Sequence, residues 1–102
     1  MDYYIVKFND EYLDLNILAG PLDEKEALVT LKQETAKRLC QLFDCSPEEA
    51  AEIVEKTYAT KYGEYCDEKM DFEISGYQAR ITYGDGYEDR IQIVQYDAGG
   101  SR

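Results

Sequence analysis

Carboxylates are the most concentrated reactive groups in this sequence, and they are distributed unevenly. Residues 44–73 hold ten Asp and Glu against three Lys, a balance of −7 in a chain whose formal net charge is −11. Glu48, Glu52 and Glu55 are three or four residues apart, so on a helix they would lie one turn apart on one face. Such a row attracts basic surfaces and repels nucleic acid and anionic lipid.

The acidic segment therefore predicts a surface that binds a basic protein. Its carboxylates would give fast, salt-sensitive association, and neighbouring tyrosines would act as anchors that lose water on binding. The predicted partner-binding residues are Glu48, Glu49, Glu52, Glu55, Tyr58, Tyr62, Glu64, Tyr65, Asp67, Glu68 and Asp71. Asp44 would extend this surface if the connection after residue 62 folds beside the helix. A nucleic-acid-binding enzyme is the preferred partner, and direct contact with nucleic acid or a membrane is not expected.

The residue types disfavour catalysis. The chain has no histidine, which removes the commonest general base and the Ser-His and Cys-His nucleophile pairs. Its glycines form no phosphate-binding or dinucleotide-binding pattern. The acids of residues 85–89 lack the spacing of a calcium loop, and Asp85-Gly86 is typical of a hairpin turn. We expect a non-catalytic protein without cofactor or metal.

Cysteine usage predicts a cytoplasmic protein. Cys40, Cys45 and Cys66 are odd in number and form no CxxC pair, which argues against a disulfide framework and a zinc site. Each is expected to be a small apolar residue in a reducing compartment. The first residues also lack the basic and apolar segments of a secretory signal.

Apolar patterning at the start of the chain predicts a strand hairpin. Residues 3–8 are β-branched and aromatic, which favours a strand. Residues 12–17 alternate in polarity, which predicts a second strand buried on one side, and residues 19–21 (Ala-Gly-Pro) are expected to end it. The expected buried side consists of Leu13, Leu15 and Ile17.

Two helices are predicted next. Apolar residues recur every three or four positions between 22 and 43, with acids near the start and basic residues near the end. Ser46, Pro47 and Glu49 form a helix-start signature, in which the serine caps the backbone N–H of the glutamate. The second helix is expected from Pro47 to about Tyr62, with Gly63 following its last turn. Its expected inward face consists of Ala50, Ile53, Val54, Thr57 and Tyr58.

The remainder returns to strands. Residues 64–70 are interpreted as either an acidic connection or an extra helical turn. Residues 72–74, 77–83 and 90–96 predict three strands, the last two joined by the turn at residues 84–86. The predicted fold class is α+β: a single domain in ββ-αα-βββ order, with an antiparallel sheet and a two-helix hairpin packed on one face. This domain is expected to span 1–97, and residues 98–102 to form a flexible tail.

The helix junction has a second interpretation. From Cys40 to Ile53 the apolar spacing resembles the helix-turn-helix of repressor-type DNA readers. However, recognition helices present Arg, Lys, Asn or Gln to DNA, whereas the outward positions here are glutamates. An ordinary αα-hairpin is therefore expected.

In size and charge, the chain resembles small acidic inhibitors that imitate nucleic acid, among them phage anti-restriction and anti-CRISPR proteins. This resemblance rests on composition and has no matched motif. It implies an inhibitor that occupies a basic groove built for a phosphate backbone. Three alternatives stay open: a solvated acidic face that confers solubility, a structural or regulatory subunit that acts through a homodimer or a sheet edge, and a small carboxylate enzyme.

Overall fold

The computed structural model describes residues 2–96 and contains six strands and two helices. In chain order the elements are β1 (Asp2–Asn9), β2 (Asp14–Leu22), α1 (Glu24–Phe43), α2 (Pro47–Tyr58), β3 (Glu64–Cys66), β4 (Asp71–Ser75), β5 (Gln78–Tyr83) and β6 (Tyr87–Tyr96). The predicted αα-hairpin and the predicted closing strands are confirmed, and β3 is an additional short strand.

The strands form one antiparallel sheet in the order β2-β1-β6-β5-β4-β3. Both helices pack on the same side of it, with α1 over the middle strands and α2 over β3 and β4. This arrangement confirms the predicted α+β architecture. We call the side under the helices the covered face and the opposite side the open face.

The hydrophobic core lies between the covered face and the helices. Alternate residues of β4, β5 and β6 point into it, and α1 and α2 contribute one stripe each. Its fully buried large side chains include Ile5, Leu31, Leu39, Val54, Phe72, Ile74, Ile81 and Ile91. On α2 the predicted inward stripe is confirmed, with Ala50, Val54 and Thr57 buried and Ile53 and Tyr58 half-buried.

The predicted burial of β2 is wrong. Leu13, Leu15 and Ile17 are 77%, 67% and 71% exposed. Leu15 pairs with Phe8 and Ile17 with Val6, so these two side chains lie on the open face, which no helix covers, whereas Leu13 lies in the turn before the strand. Alternation identified one apolar side of the strand correctly, but that side faces away from the core.

The predicted end of β2 is also wrong. The strand continues through residues 19–21 to Leu22, with an irregular register against β1. Pro21 is tolerated there because β2 is an edge strand, where a missing backbone donor need not break a ladder.

The second helix is shorter than predicted. It ends at Tyr58, with Ala59 as its cap, so Gly63 does not follow its last turn. Gly63 nevertheless needs its left-handed backbone (φ +64°), because it leads the chain into β3 directly against the carbonyl of Ile74. Residues 64–70, whose structure the sequence left open, form β3 and a tight turn rather than a further helical turn.

Residues 97–102, which include the predicted flexible tail, lie outside the described residues. Within residues 2–96, no helix has both the length and the apolar character required to cross a bilayer.

Candidate functional site

Five carboxylates lie at the end of the molecule where α1 turns into α2. Two segments meet there, residues 44–49 and the turn after β3, and they contain one lysine, Lys69. The hydrogen bond to Asp67 is the main cause that raises the pKa of the Tyr65 hydroxyl, and Glu49 lies close enough to add to it. Phe43 shares a cavity of about 250 Å³ with residues 67–71. We call this group the acidic end. It consists of Asp44, Glu48, Glu49, Asp67 and Glu68, all of them exposed.

Local hydrogen bonds place the acids of the first segment. The Ser46 hydroxyl accepts the backbone N–H of Glu49 at 3.2 Å, which confirms the predicted cap, and Pro47 occupies the first turn. Asp44 adopts a left-handed backbone (φ 55°) and caps α1 through its N–H to the Cys40 carbonyl at 3.2 Å. The acids at the start of α2 also suit the helix dipole.

Asp67 organises the turn between β3 and β4. Its carboxylate accepts the Tyr65 hydroxyl at 2.7 Å and the backbone N–H groups of Lys69 and Met70 at 2.7 and 2.9 Å. These bonds, that from Tyr65 foremost, lower the pKa of Asp67. The stability they contribute is therefore present above the ordinary aspartate pKa and is lost as pH falls through the lowered value.

We expect the Tyr65→Phe variant to raise the pKa of Asp67 toward its ordinary value, because the substitution removes the largest of these stabilising bonds. An NMR pH titration of the Asp67 carboxyl carbon measures this shift. Tyr62→Phe is the matched control, since Tyr62 is exposed and makes no bond to Asp67. An unchanged Asp67 titration in Tyr65→Phe would contradict the assignment.

Two of the predicted site acids are paired with lysines. Glu52 accepts from Lys56 at 2.8 Å, which lowers the pKa of Glu52, and Glu55 pairs with Lys32 of α1 at 3.2 Å. Both glutamates remain more than 60% exposed. Exposed pairs of this kind contribute little to stability, but they reduce the local charge. The negative row on α2 is therefore strongest at its N-terminal end.

The sheet separates the remaining predicted acids. Glu64 and Asp71 lie on the open face, because Phe72 and Ile74 of β4 point into the core and Glu64 pairs with Glu73. Tyr65 lies on the covered face against Phe72, with ring centroids 5.4 Å apart. Glu64 and the α2 acids therefore occupy opposite sides of the sheet edge.

The three predicted tyrosine anchors have different environments. Tyr58 is half-buried, donates to the Gly76 carbonyl at 3.0 Å and lies under the Lys32 ammonium. Tyr65 is half-buried through its contacts with Phe72 and Asp67. Tyr62 is 67% exposed. Of the three, Tyr62 presents the most free surface to a partner.

The cysteines are all free thiols. Cys40 and Cys45 are half-buried at the helix junction, and burial, with Cys40 next to it, raises the pKa of the Cys45 thiol. Cys66 is exposed on β3, so the expectation that it is a buried apolar residue is wrong. Its position is explained by the register with Asp71, which places it on the open face.

A buried polar cluster was missed by sequence reasoning. Asp89 of β6 is fully buried and forms an ion pair with Arg38 of α1. The Asn9 amide donates to Asp89 and, at 2.6 Å, to the Tyr83 hydroxyl. Burial is the main cause that raises the pKa of Tyr83. The sequence signal was slight: Asp89 is the inward residue of an alternating strand that otherwise continues with Ile91 and Ile93.

This cluster ties elements together rather than forming an open site. Its four side chains belong to β1, α1, β5 and β6, and Arg38 is 21% exposed. In residues 2–96, every buried side-chain nitrogen and oxygen has a hydrogen-bond partner. That part of the chain also shows no group of three or more Cys, Asp or Glu with the geometry to hold a metal ion.

Comparison with known proteins adds no assignment. No family model, no curated protein and no solved structure matches this chain. Functional inference therefore depends on the surfaces described above.

Proposed function

We propose that this protein acts by binding, without catalysis, and that its acidic end engages a basic surface on another protein. The preferred partner is a nucleic-acid-binding enzyme whose phosphate-binding groove the carboxylates occupy, so that the protein acts as an inhibitor. The observation that supports this proposal is the presence of five exposed carboxylates and one lysine in two segments that meet at one end.

The position of the acids favours a protein partner over nucleic acid. Opposite charges accelerate association with a basic protein, whereas phosphate would be repelled by the same surface. Glu52 and Glu55 extend the surface along α2, and exposed Tyr62 lies beyond the C-terminal end of that helix. In this proposal the acids accelerate association and select a basic partner, and Tyr62 is an apolar anchor in the interface.

Neutralising the acidic end is the direct test. The variant combines Asp44→Asn, Glu48→Gln, Glu49→Gln and Glu68→Gln, and retains Asp67 because its carboxylate holds the turn. Partners are captured on the immobilised protein at about 0.05 M and about 0.5 M NaCl and identified by mass spectrometry. We expect the variant to bind the captured basic protein at least about 10-fold more weakly at low salt.

A second variant tests whether the loss of net charge alone weakens binding. Asp2→Asn, Asp14→Asn, Glu26→Gln and Asp85→Asn remove four exposed acids elsewhere, so both variants change the net charge from −11 to −7. We expect the control to retain near-normal affinity and to compete with duplex DNA for the partner. Equal losses in both variants, or no loss in either, would refute the assignment.

A further inference from the structure

The open face of the sheet carries an apolar patch at the edge opposite the acidic end. Side chains of β2, β1 and β6 form it, because paired residues of neighbouring strands point to the same side. Leu15 and Ile17 are 67% and 71% exposed, and Val94 and Tyr96 are 43% and 57% exposed. We call this the open apolar patch. It consists of Tyr4, Val6, Phe8, Leu15, Ile17, Val94 and Tyr96.

The patch has no charged member. Asp2 borders it as the register partner of Tyr96, and the arginines beside it are paired with glutamates. Arg90 contacts Glu88 at 3.0 Å and lies over the Phe8 ring. Further along the open face, Arg80 contacts Glu88 at 2.8 Å and Glu73 at 3.9 Å. The middle of the open face is therefore close to neutral, although the whole chain carries −11.

Distance separates the patch from the main concentration of acids. Its middle strand, β1, lies four strands from β3. At about 4.8 Å per strand this is about 19 Å. Charges are screened over about 8 Å at physiological salt. Two chains that meet through their patches therefore keep their acidic ends apart by more than the range of their repulsion.

We propose that the open apolar patch is the interface with a second copy of this chain, which forms a symmetric homodimer. A patch on a two-fold axis meets itself, so an apolar and uncharged surface is self-complementary. The acidic end would select a basic partner, but nothing in the patch requires an opposite charge. Burial against a second copy also removes from water the side chains of Leu15 and Ile17, which are 67% and 71% exposed in the single chain.

Sedimentation equilibrium of the full chain tests the proposal, from about 1 µM to about 1 mM, the span of weak protein affinities. We expect a concentration-dependent mass that approaches twice 11.8 kDa. Leu15→Ser with Ile17→Ser should weaken the dimer about 100-fold or more, because each lost side chain counts twice in a symmetric interface. Both positions are exposed, so the thermal midpoint of the dilute monomer should be unchanged.

A matched control removes two exposed apolar side chains that lie outside the patch. Val29→Ser with Tyr62→Ser affects two residues that are 48% and 67% exposed, and it should leave the dimer constant unchanged. Concentration-dependent NMR shifts of the wild-type amides give an independent map, expected on β1, β2 and β6. A monomer at every concentration would overturn the proposal. So would a dimer weakened only by the control variant, or NMR shifts confined to strands other than β1, β2 and β6.

Salt distinguishes this proposal from the proposed function, on which it does not depend. Raising NaCl from about 0.15 M to about 1 M should leave the apolar dimer intact or strengthen it, while binding of a basic partner weakens. Loss of the dimer at high salt would overturn the apolar interface. Neutralising the acidic end should leave the dimer constant of the chain unchanged.

Discussion

Replacement of Asp89 by alanine is expected to lower the free energy of unfolding by about 3 kcal/mol, the range found when one member of a buried ion pair is removed. The Asp89 carboxylate is fully buried, and its partner Arg38 is only 21% exposed. The substitution leaves the Arg38 guanidinium without its anion and deprives the Asn9 amide of an acceptor. Equilibrium urea denaturation followed by circular dichroism measures the change.

Two further variants sharpen this prediction. Arg38→Ala should cost a similar amount, since it leaves a buried carboxylate unpaired, and the double variant should cost less than the sum of the two. Glu52→Ala is the control, because it removes only an exposed pair with Lys56 and should leave the free energy of unfolding nearly unchanged. If Asp89→Ala behaved like this control, the cluster would have no role in holding α1 to the sheet.

Replacement of Gly63 by alanine is expected to cost about 3 kcal/mol or more, since left-handed strain and overpacking act together. Its φ is +64°, and an added Cβ would lie 2.2 Å from the Ile74 carbonyl oxygen and 3.0 Å from the Ser75 Cβ. Ile74 is fully buried and its N–H donates to the Gly63 carbonyl at 2.7 Å, so the backbone there cannot move aside without loss of a bond. Urea denaturation again provides the measurement.

Gly76 offers a matched control for backbone strain. Its φ is +55°, but no atom lies within 4 Å of an added Cβ. Gly76→Ala should therefore cost only the conformational penalty, about 1 kcal/mol. Equal losses at the two glycines would show that the contact with Ile74 is unimportant and that backbone strain explains both.

Local signals account for the parts of the fold that were predictable. The start of α2 is set by a signal of only a few consecutive residues, the Ser46 cap and Pro47. The last hairpin is likewise set by its turn residues, Asp85-Gly86. The end of α2 was not predictable from Gly63. A glycine with positive φ can follow the last turn of a helix, but it can equally lie where two backbone segments approach closely, as it does here.

The exposed side of β2 shows why an alternating pattern has a limit. Alternation reports that a strand has an apolar side, but which side the helices cover depends on the whole sheet. In β1 both sides are apolar, with Ile5 in the core and Val6 and Phe8 on the open face. The polarity of β1 therefore does not determine which of its sides is covered, and the packing of α1 and α2 does.

The acidic segment could be predicted from the sequence. The pairing of some of its acids with lysines, and their distribution over two sides of the sheet, could not. Pairing of Glu55 with Lys32 joins residues 23 positions apart, and Glu64 reaches the open face only because β3 pairs with β4. Asp89 was hidden by its neighbours, since Asp85-Gly86 accounts for a turn without involving a buried carboxylate. Both outcomes depend on contacts between elements that no local pattern encodes.

The position of β6 between β1 and β5 has a consequence for how the molecule is made. It joins an early hairpin, β2-β1, to a late meander, β5-β4-β3, and it follows all of them along the chain. During synthesis each half must wait with an unpaired edge until β6 leaves the ribosome. Pairing across such sequence separations slows folding, so both edges stay open to pairing with other chains until β6 is available.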